Sequence, residues 1–182
     1  MGISINRIKV LVLMATFNGE EFIERQVHSI FAQENCDVFL KIQDDCSTDN
    51  TYDILIALKE EYKNIEVIRN TEQLGFSKNF FNLILNADSS NYEYIALSDQ
   101  DDIFISNKFT KQAKILHEGL YVACSSSVRC IDYSKNILVQ SNNIKQYDFL
   151  FEGAGQGCTF LLKKNFFNSI SLFIKQNNIL LN

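Results

Sequence analysis

Three carboxylates, Asp99, Asp101 and Asp102, stand within four positions directly after the apolar run "YEYIAL". Like charges this close repel one another unless water, a cation or hydrogen-bond donors compensate them. A pair such as Asp99 and Asp101 can hold a hard divalent cation through oxygen. A second acidic pair, Asp44 and Asp45, follows "DVFLKIQ", and Ala15, Thr16 and Asn18 follow "IKVLVLM". A carboxylate at a strand end can accept hydrogen bonds from a heterocyclic N–H or from sugar hydroxyls. The plainer alternative is that Asp44, Asp45 and Asp49 are turn and cap residues and that Asp99 to Asp102 form a solvated loop.

The elements that must position these groups follow from periodicity. "IKVLVLM" is a short continuous apolar run of buried-strand type, and "EEFIERQVHSIFAQ" places Phe22, Ile23, Val27, Ile30 and Phe31 on one helical face. The unit repeats: strands over 37–43, 65–69 and about 92–97, and helices in "TYDILIALKEEY", "FSKNFFNLILNA" and "NKFTKQAKILHE". Ser47, Thr48 and Asp49 are expected to cap the second helix. Strands alternating with helices predict an α/β fold with a mostly parallel central sheet flanked by helices. In such a sheet ligands bind outside the carboxyl ends of the strands, where the three polar segments would converge. After residue 119 the pattern loosens, with strands expected in "LYVACSSSV" and "GCTFLLK".

Composition narrows the classes. The 182 residues, 46% hydrophobic, fit one domain that buries a core without disulfides. A net charge of −5 argues against nucleic acid as partner, since phosphate binding wants a basic surface. Five cysteines, with no CxxC pair, suggest neither a disulfide framework nor a thiolate zinc site, and fit a reducing cytoplasm. No apolar run approaches the roughly 20 residues that span a bilayer, which leaves room for peripheral work at the inner face of a membrane. Counting from Asp99, the sixth position is Phe104, so a calcium loop of EF-hand type fails. Ile103 stands where a haloacid-dehalogenase phosphatase carries Thr or Val. No glycine-rich phosphate loop follows the first strand, and His28 and His117 sit in amphipathic helices as structural or solvent-facing groups.

The blocks "VLMATFNGEEFIERQVHSIFAQ", "IQDDCSTDNT" and "YIALSDQDDIF", in this order and spacing, resemble the leading blocks of the family 2 glycosyltransferases. "NTEQLGFSKNFFNLI" with "LSDQDDIFISNK" is similar to the subgroup of bacterial rhamnosyltransferases that serve O-antigen and capsule assembly. The resemblance covers residues 8 to 117 and, more loosely, "GAGQGCTFLLKKNFF". It implies a GT-A type fold that binds a nucleotide-diphospho-sugar donor together with Mn2+ or Mg2+. The sugar, rhamnose in the narrower subgroup, would pass with inversion to a saccharide or lipid-linked saccharide acceptor. It further implies that Ala15 and Thr16 line the nucleobase pocket, that Asp45 hydrogen-bonds the base, and that Asp99 meets the ribose or the metal. Asp101 would coordinate the ion, Asp102 would lie beside the transferred sugar, and Lys78 would stand near the donor. Asn18, Gly19 and Asn79 read as caps and turns, Gln100 as the variable position of its motif, and the cysteines as core. Residues 1–182 then form a single domain, with 1–117 as the nucleotide-sugar-binding half and 118–182 as a partial acceptor-side half.

The family places its acceptor-activating acid after the "GCTFLLKK"-like strand, yet "NFFNSISLFIKQNNILLN" contains no acidic residue. The expectation is a chain that ends before its base. Asp148 and Glu152 are the nearby acids, and both precede that strand. A catalytically silent nucleotide-sugar-binding module is the alternative, and a metal-dependent phosphatase a distant third.

Overall fold

The computed structural model describes residues 7–131, 137–140 and 157–177. The chain runs β1 (Ile8–Thr16), α1 (Ile23–Phe31), β2 (Cys36–Asp44), α2 (Thr51–Glu61), β3 (Ile65–Arg69), α3 (Phe76–Leu85), β4 (Tyr94–Ser98) and α4 (Lys108–Glu118). It continues with β5 (Ala123–Cys124), β6 (Arg129–Ile131), β7 (Ile137–Gln140), a 3-10 turn at Gly157–Thr159, β8 (Leu161–Lys163) and α5 (Lys164–Gln176). The main sheet has the order β3-β2-β1-β4-β8-β5, and β6 and β7 form a separate antiparallel ribbon. The pairs β1–β2, β1–β4 and β2–β3 are parallel, whereas β8 lies antiparallel to both β4 and β5. The expected mostly parallel sheet is present, with an antiparallel strand inserted beside β4.

The alternation along β1 explains why both faces are covered. Val10, Val12 and Met14 pack with Ile23, Val27 and Ile30 of α1, Leu55 and Leu58 of α2, and Phe109, Ala113 and Leu116 of α4. Leu11 and Leu13 face the other way, toward Ile84 of α3 and Phe167 and Ile174 of α5. A strand buried on both sides needs apolar residues at every position, which is the pattern "VLVLM" supplies. Each such fully buried Leu, Ile or Val is worth about 1.5–3 kcal/mol of transfer free energy.

The later segments depart from expectation. The strands expected in "LYVACSSSV" and "GCTFLLK" shrink to Ala123–Cys124 and Leu161–Lys163, the second because Gly157–Thr159 winds into a 3-10 turn. α5 occupies a stretch to which the sequence reading assigns no element. Its anchors Phe167 and Ile174, with half-buried Ile170 between them, fall at helical spacing and close the second face of the sheet. Asp148 and Glu152 lie outside the described residues.

The cap of α2 also differs. Asn50 holds the cap position without a side-chain cap bond, while Asp49 accepts the Thr51 amide (3.0 Å) and hydroxyl (2.6 Å). The Ser47 hydroxyl is drawn to the buried Asp44 and also accepts the Asn18 amide at 2.9 Å. These bonds belong to a zipper between the two loops that follow β1 and β2. Thr48 N donates to Asn18 Oδ1 (2.8 Å), Gly19 N to Thr51 Oγ1 (2.7 Å) and Asn50 N to Glu20 Oε2 (2.9 Å). Asn18 sits at φ 47, a left-handed conformation that Asn tolerates better than most residues. Asn18 and Gly19 therefore turn and tie the chain.

Candidate active site

The parallel register brings three strand ends level. Thr16 pairs with Asp44 and Met14 with Ser98, so the residues just beyond them, Phe17, Asp45 and Asp99, emerge on one edge of the sheet. They border a cavity of about 450 Å³. Ala15, Thr16 and Phe17 line it from β1, Asp45 from β2, and Asp99, Gln100 and Asp101 from β4. Gln73, Gly75, Phe76 and Asn79 contribute from the loop before α3 and its first turn. Five of the residues singled out in the sequence, Ala15, Thr16, Asp45, Asp99 and Asp101, thus converge on one space. Asp102 and Lys78 do not line it, and Lys78 is exposed on α3.

The two acids after β2 have separate surroundings. Asp44 is fully buried and accepts from Ser47 N (3.1 Å) and Thr16 Oγ1 (3.3 Å), with the Arg69 guanidinium at 3.5 Å. Arg69 itself lies over the Tyr52 ring at 4.6 Å. Asp44 is a structural knot. Asp45, 2% exposed, holds the loop before α3: Oδ1 accepts Asn70 Nδ2 (2.7 Å) and Leu74 N (2.7 Å), and Oδ2 accepts Gly75 N (2.8 Å). An ionised carboxylate has about four acceptor positions, so three of them are already engaged. Asn79, read from the sequence as a cap or turn residue, is buried and closes this network. Its Nδ2 donates to Gln43 O at 3.0 Å and its Oδ1 accepts Asn70 Nδ2 at 3.0 Å.

Gln100 has a fixed task. Its Oε1 accepts Phe17 N (2.9 Å) and its Nε2 donates to Phe17 O (3.0 Å), so one carboxamide brackets the loop after β1 to the loop after β4. Beneath it, buried Gln26 of α1 donates to Ser98 Oγ at 2.7 Å, and that hydroxyl donates to Asp99 O at 2.8 Å.

The acidic end contains a neighbour that the sequence placed in the core. Single ligand atoms of Asp99, Asp102 and Cys158 lie within 4.8 Å of one another. Burial, with the charges of Asp102 and Asp101, pushes the Asp99 carboxyl above its usual range, opposed by a hydrogen bond with Cys158. Burial, reinforced by hydrogen bonds and charge from Asp102 and Asp99, pushes the Cys158 thiol well above its usual value. Cys158 therefore stays a neutral thiol that donates to carboxylates, and the hard-ion donors here are carboxylate oxygens. Asp102 Oδ2 is buried with no hydrogen-bond partner among the described residues. Asp99, with its raised carboxyl, and the unsatisfied oxygen of Asp102 fit a divalent cation such as Mn2+ or Mg2+, whereas Asp101, the expected ligand, lines the cavity but is not among the three groups whose ligand atoms meet. Behind them Lys108, 7% exposed, lies with its ammonium 4.2 Å from the Phe104 ring and 5.0 Å from that of Phe109.

Sequence reasoning passed over Phe17, Gln73, Gly75, Phe76 and Cys158. Phe17 adjoins a chosen residue and could have been found from that adjacency. Cys158 is brought in by an antiparallel strand from late in the chain, and no local spacing announces it.

Residues 11–177 match the profile described as "Glycosyl transferase family 2", and the chain belongs to that family. It is 38% identical over 168 residues to the dTDP-rhamnosyl transferase RfbG of Shigella flexneri, covering 90% of this chain and 58% of that protein. The chain thus spans little more than half the length of this relative. Among solved structures, S. aureus TarS 1-349 in complex with UDP superposes with a TM-score of 0.67 at 18% identity, over 94% of this chain and 49% of that one. The mannosyltransferase PcManGT from Pyrobaculum calidifontis, in complex with GDP-Man and Mn2+, gives 0.66 at 17% identity, over 90% and 47%. The fold is the GT-A type. No described helix is long and apolar enough to cross a membrane.

Proposed function

We propose that this chain forms the donor-binding part of a glycosyltransferase that moves a sugar from a nucleotide-diphosphate donor to a saccharide or lipid-linked saccharide acceptor. The kinship with a dTDP-rhamnosyl transferase favours a rhamnosyl donor. The observation that carries the reading is the convergence of Ala15, Thr16, Asp45, Asp99 and Asp101 on one cavity at the carboxyl ends of parallel strands.

In this reading the base lies against the backbone of Ala15 and Thr16, and the remaining acceptor position of Asp45 takes a base N–H. Asp99 and Asp101 hold a divalent ion, and Asp99 also reaches the ribose. When bound, that ion supplies Lewis-acid stabilisation of the diphosphate leaving group. Asp102 stands on the Asp99 side, where its carboxylate would stabilise positive charge developing at the anomeric carbon. Lys78, exposed near the start of α3, would meet donor phosphate only at the rim of the site. Single displacement would invert the anomeric centre. It also needs a base for the acceptor hydroxyl, a role none of the cavity's carboxylates is free to fill. Residues 1–117 then serve the donor and 118–182 begin the acceptor side.

The test is linkage between ion and nucleotide. With few protein carboxylates as ligands, Mn2+ should bind weakly alone and more tightly once diphosphate oxygens complete its shell, and the effect must be reciprocal. Calorimetric titration of dTDP with and without Mn2+ reads this directly. Asp101→Asn should remove most of the Mn2+ dependence and leave the melting temperature unchanged. Equal dTDP affinities in the two titrations would refute the site.

A further inference from the structure

The segment 70–75 between β3 and α3 is tied down at both ends. At one end Asn70 N donates to Asp44 O (2.8 Å), Asn70 Nδ2 donates to Asp45, and Cys46 Sγ donates to Asn70 O (3.1 Å). At the other end Asp45 receives the amides of Leu74 and Gly75. Gly75, at φ 82, turns the chain into α3 in a conformation that L side chains rarely adopt. Between the anchors, Gln73 is exposed, lines the cavity, and its carboxamide makes no hydrogen bond to a described residue.

Phe76 is the second unusual side chain. It is 70% exposed and lines the same cavity, in a chain whose other cavity-lining aromatic, Phe17, is 38% exposed. Its ring meets Phe80 edge-on, with centroids 5.1 Å apart, which braces it from the α3 side and leaves its face open. A solvated aromatic face is an unfavourable surface that a flat heterocycle would cover. The Gln73 carboxamide, three residues away and unpaired among the described residues, offers both N–H donors and a carbonyl acceptor.

We propose that Gln73 and Phe76 form the nucleobase-reading wall of the cavity, with Phe76 covering the face of the base and Gln73 meeting its polar edge. The proposal rests on the donor-site reading above. Asp45 acts here as a positioning residue: by holding Leu74 and Gly75 it sets where both side chains project. Asp45 can only accept, whereas Gln73 can also donate, so together they match a base edge in which N–H is flanked by carbonyl oxygens. That edge belongs to uracil and thymine, and cytosine lacks the N–H.

The chain contains no tryptophan, so Phe76→Trp introduces a single indole reporter. With Mn2+ present, dTDP should quench that indole saturably, and ribose 5-phosphate should not. By calorimetry Phe76→Ala should bind dTDP about tenfold more weakly, within the range for losing one base–aromatic stack. Gln73→Ala should bring dTDP and CDP affinities about fivefold closer together, the scale of one neutral hydrogen bond. Unchanged dTDP affinity in Phe76→Ala, or an unquenched indole while calorimetry shows dTDP bound, would overturn the wall. An unchanged dTDP-to-CDP ratio in Gln73→Ala would overturn its role as the reader of the edge. If wild-type protein with Mn2+ binds no dTDP, the donor-site reading falls and this proposal with it.

Discussion

Replacing Lys108 by methionine should stabilise the protein. An ammonium that is 7% exposed and donates no hydrogen bond among the described residues has lost its hydration without full replacement. Burial holds its pKa down at about 8, against 10.5 for an ordinary lysine, even with acidic neighbours such as Asp102 opposing the shift. That difference corresponds to about 3 kcal/mol of penalty while the amine is charged. The faces of Phe104 and Phe109 return about 1–2 kcal/mol through cation–π attraction, which methionine forfeits. Lys108→Met should therefore gain about 1–2 kcal/mol near neutral pH. The pH dependence is the sharper test. Below about 8 the amine is charged in both native and unfolded states, and the penalty is full. Between about 8 and 10.5 the unfolded chain keeps the proton that the native state has lost, so wild-type stability rises with pH relative to the variant. Urea unfolding of both proteins across that window should show their difference moving by about 3 kcal/mol in favour of the wild type, so that the order of stability reverses by the alkaline end, with other titrating groups cancelling. A difference that stays constant with pH, or a less stable variant at neutral pH, would refute the reasoning.

Asp45→Ala leaves the amides of Leu74 and Gly75 without their acceptor, so it should cost about 2–4 kcal/mol of stability as well as dTDP affinity. Melting and calorimetry run in parallel check both, and lost affinity with unchanged stability would show that the loop does not depend on it. Gly19→Ala would put a Cβ 2.5 Å from Gln100 Oε1, so it should displace that side chain from Phe17. Amide hydrogen exchange at Phe17 should then rise by about tenfold, the effect of losing roughly 1.4 kcal/mol of local protection. Gly75→Ala meets no atom within 4 Å and tests conformation alone; at φ 82 it should cost about 1–2 kcal/mol in urea unfolding.

The first four strand–helix units are legible because each carries its own period. "IKVLVLM" is apolar throughout since β1 is buried on both faces, and the face of α1 recurs at the spacing its packing on Val10 and Val12 demands. Strand topology then placed Asp45, Asp99 and Asp101 on one cavity without any knowledge of contacts. What stayed hidden depends on pairings that local pattern does not encode. α5 carries only a thin stripe of buried anchors, Phe167 and Ile174, while Leu172 and Phe173 are exposed and blur its period. Asp45 reads as a ligand from its position, yet its anchoring of Leu74 and Gly75 depends on how a loop thirty residues later folds back. Cys158 reads as filler because its neighbours Asp99 and Asp102 come from a distant part of the chain.

The insertion of β8 beside β4 also bears on the order in which this site can be completed during synthesis. β1, β2, β3 and β4 need only one another to pair, so that part of the sheet can assemble as the chain emerges. The edge of β4 stays open until Leu161–Lys163 arrives in the antiparallel direction, and Cys158 reaches Asp99 and Asp102 only with it. Until then the acidic loop borders an unpaired strand edge, the kind of surface that recruits other chains. A ribosome stalled before Cys158 would therefore display the cavity with its walls in place and its charged end unfinished, so the nascent protein would depend on how fast β8 follows α4.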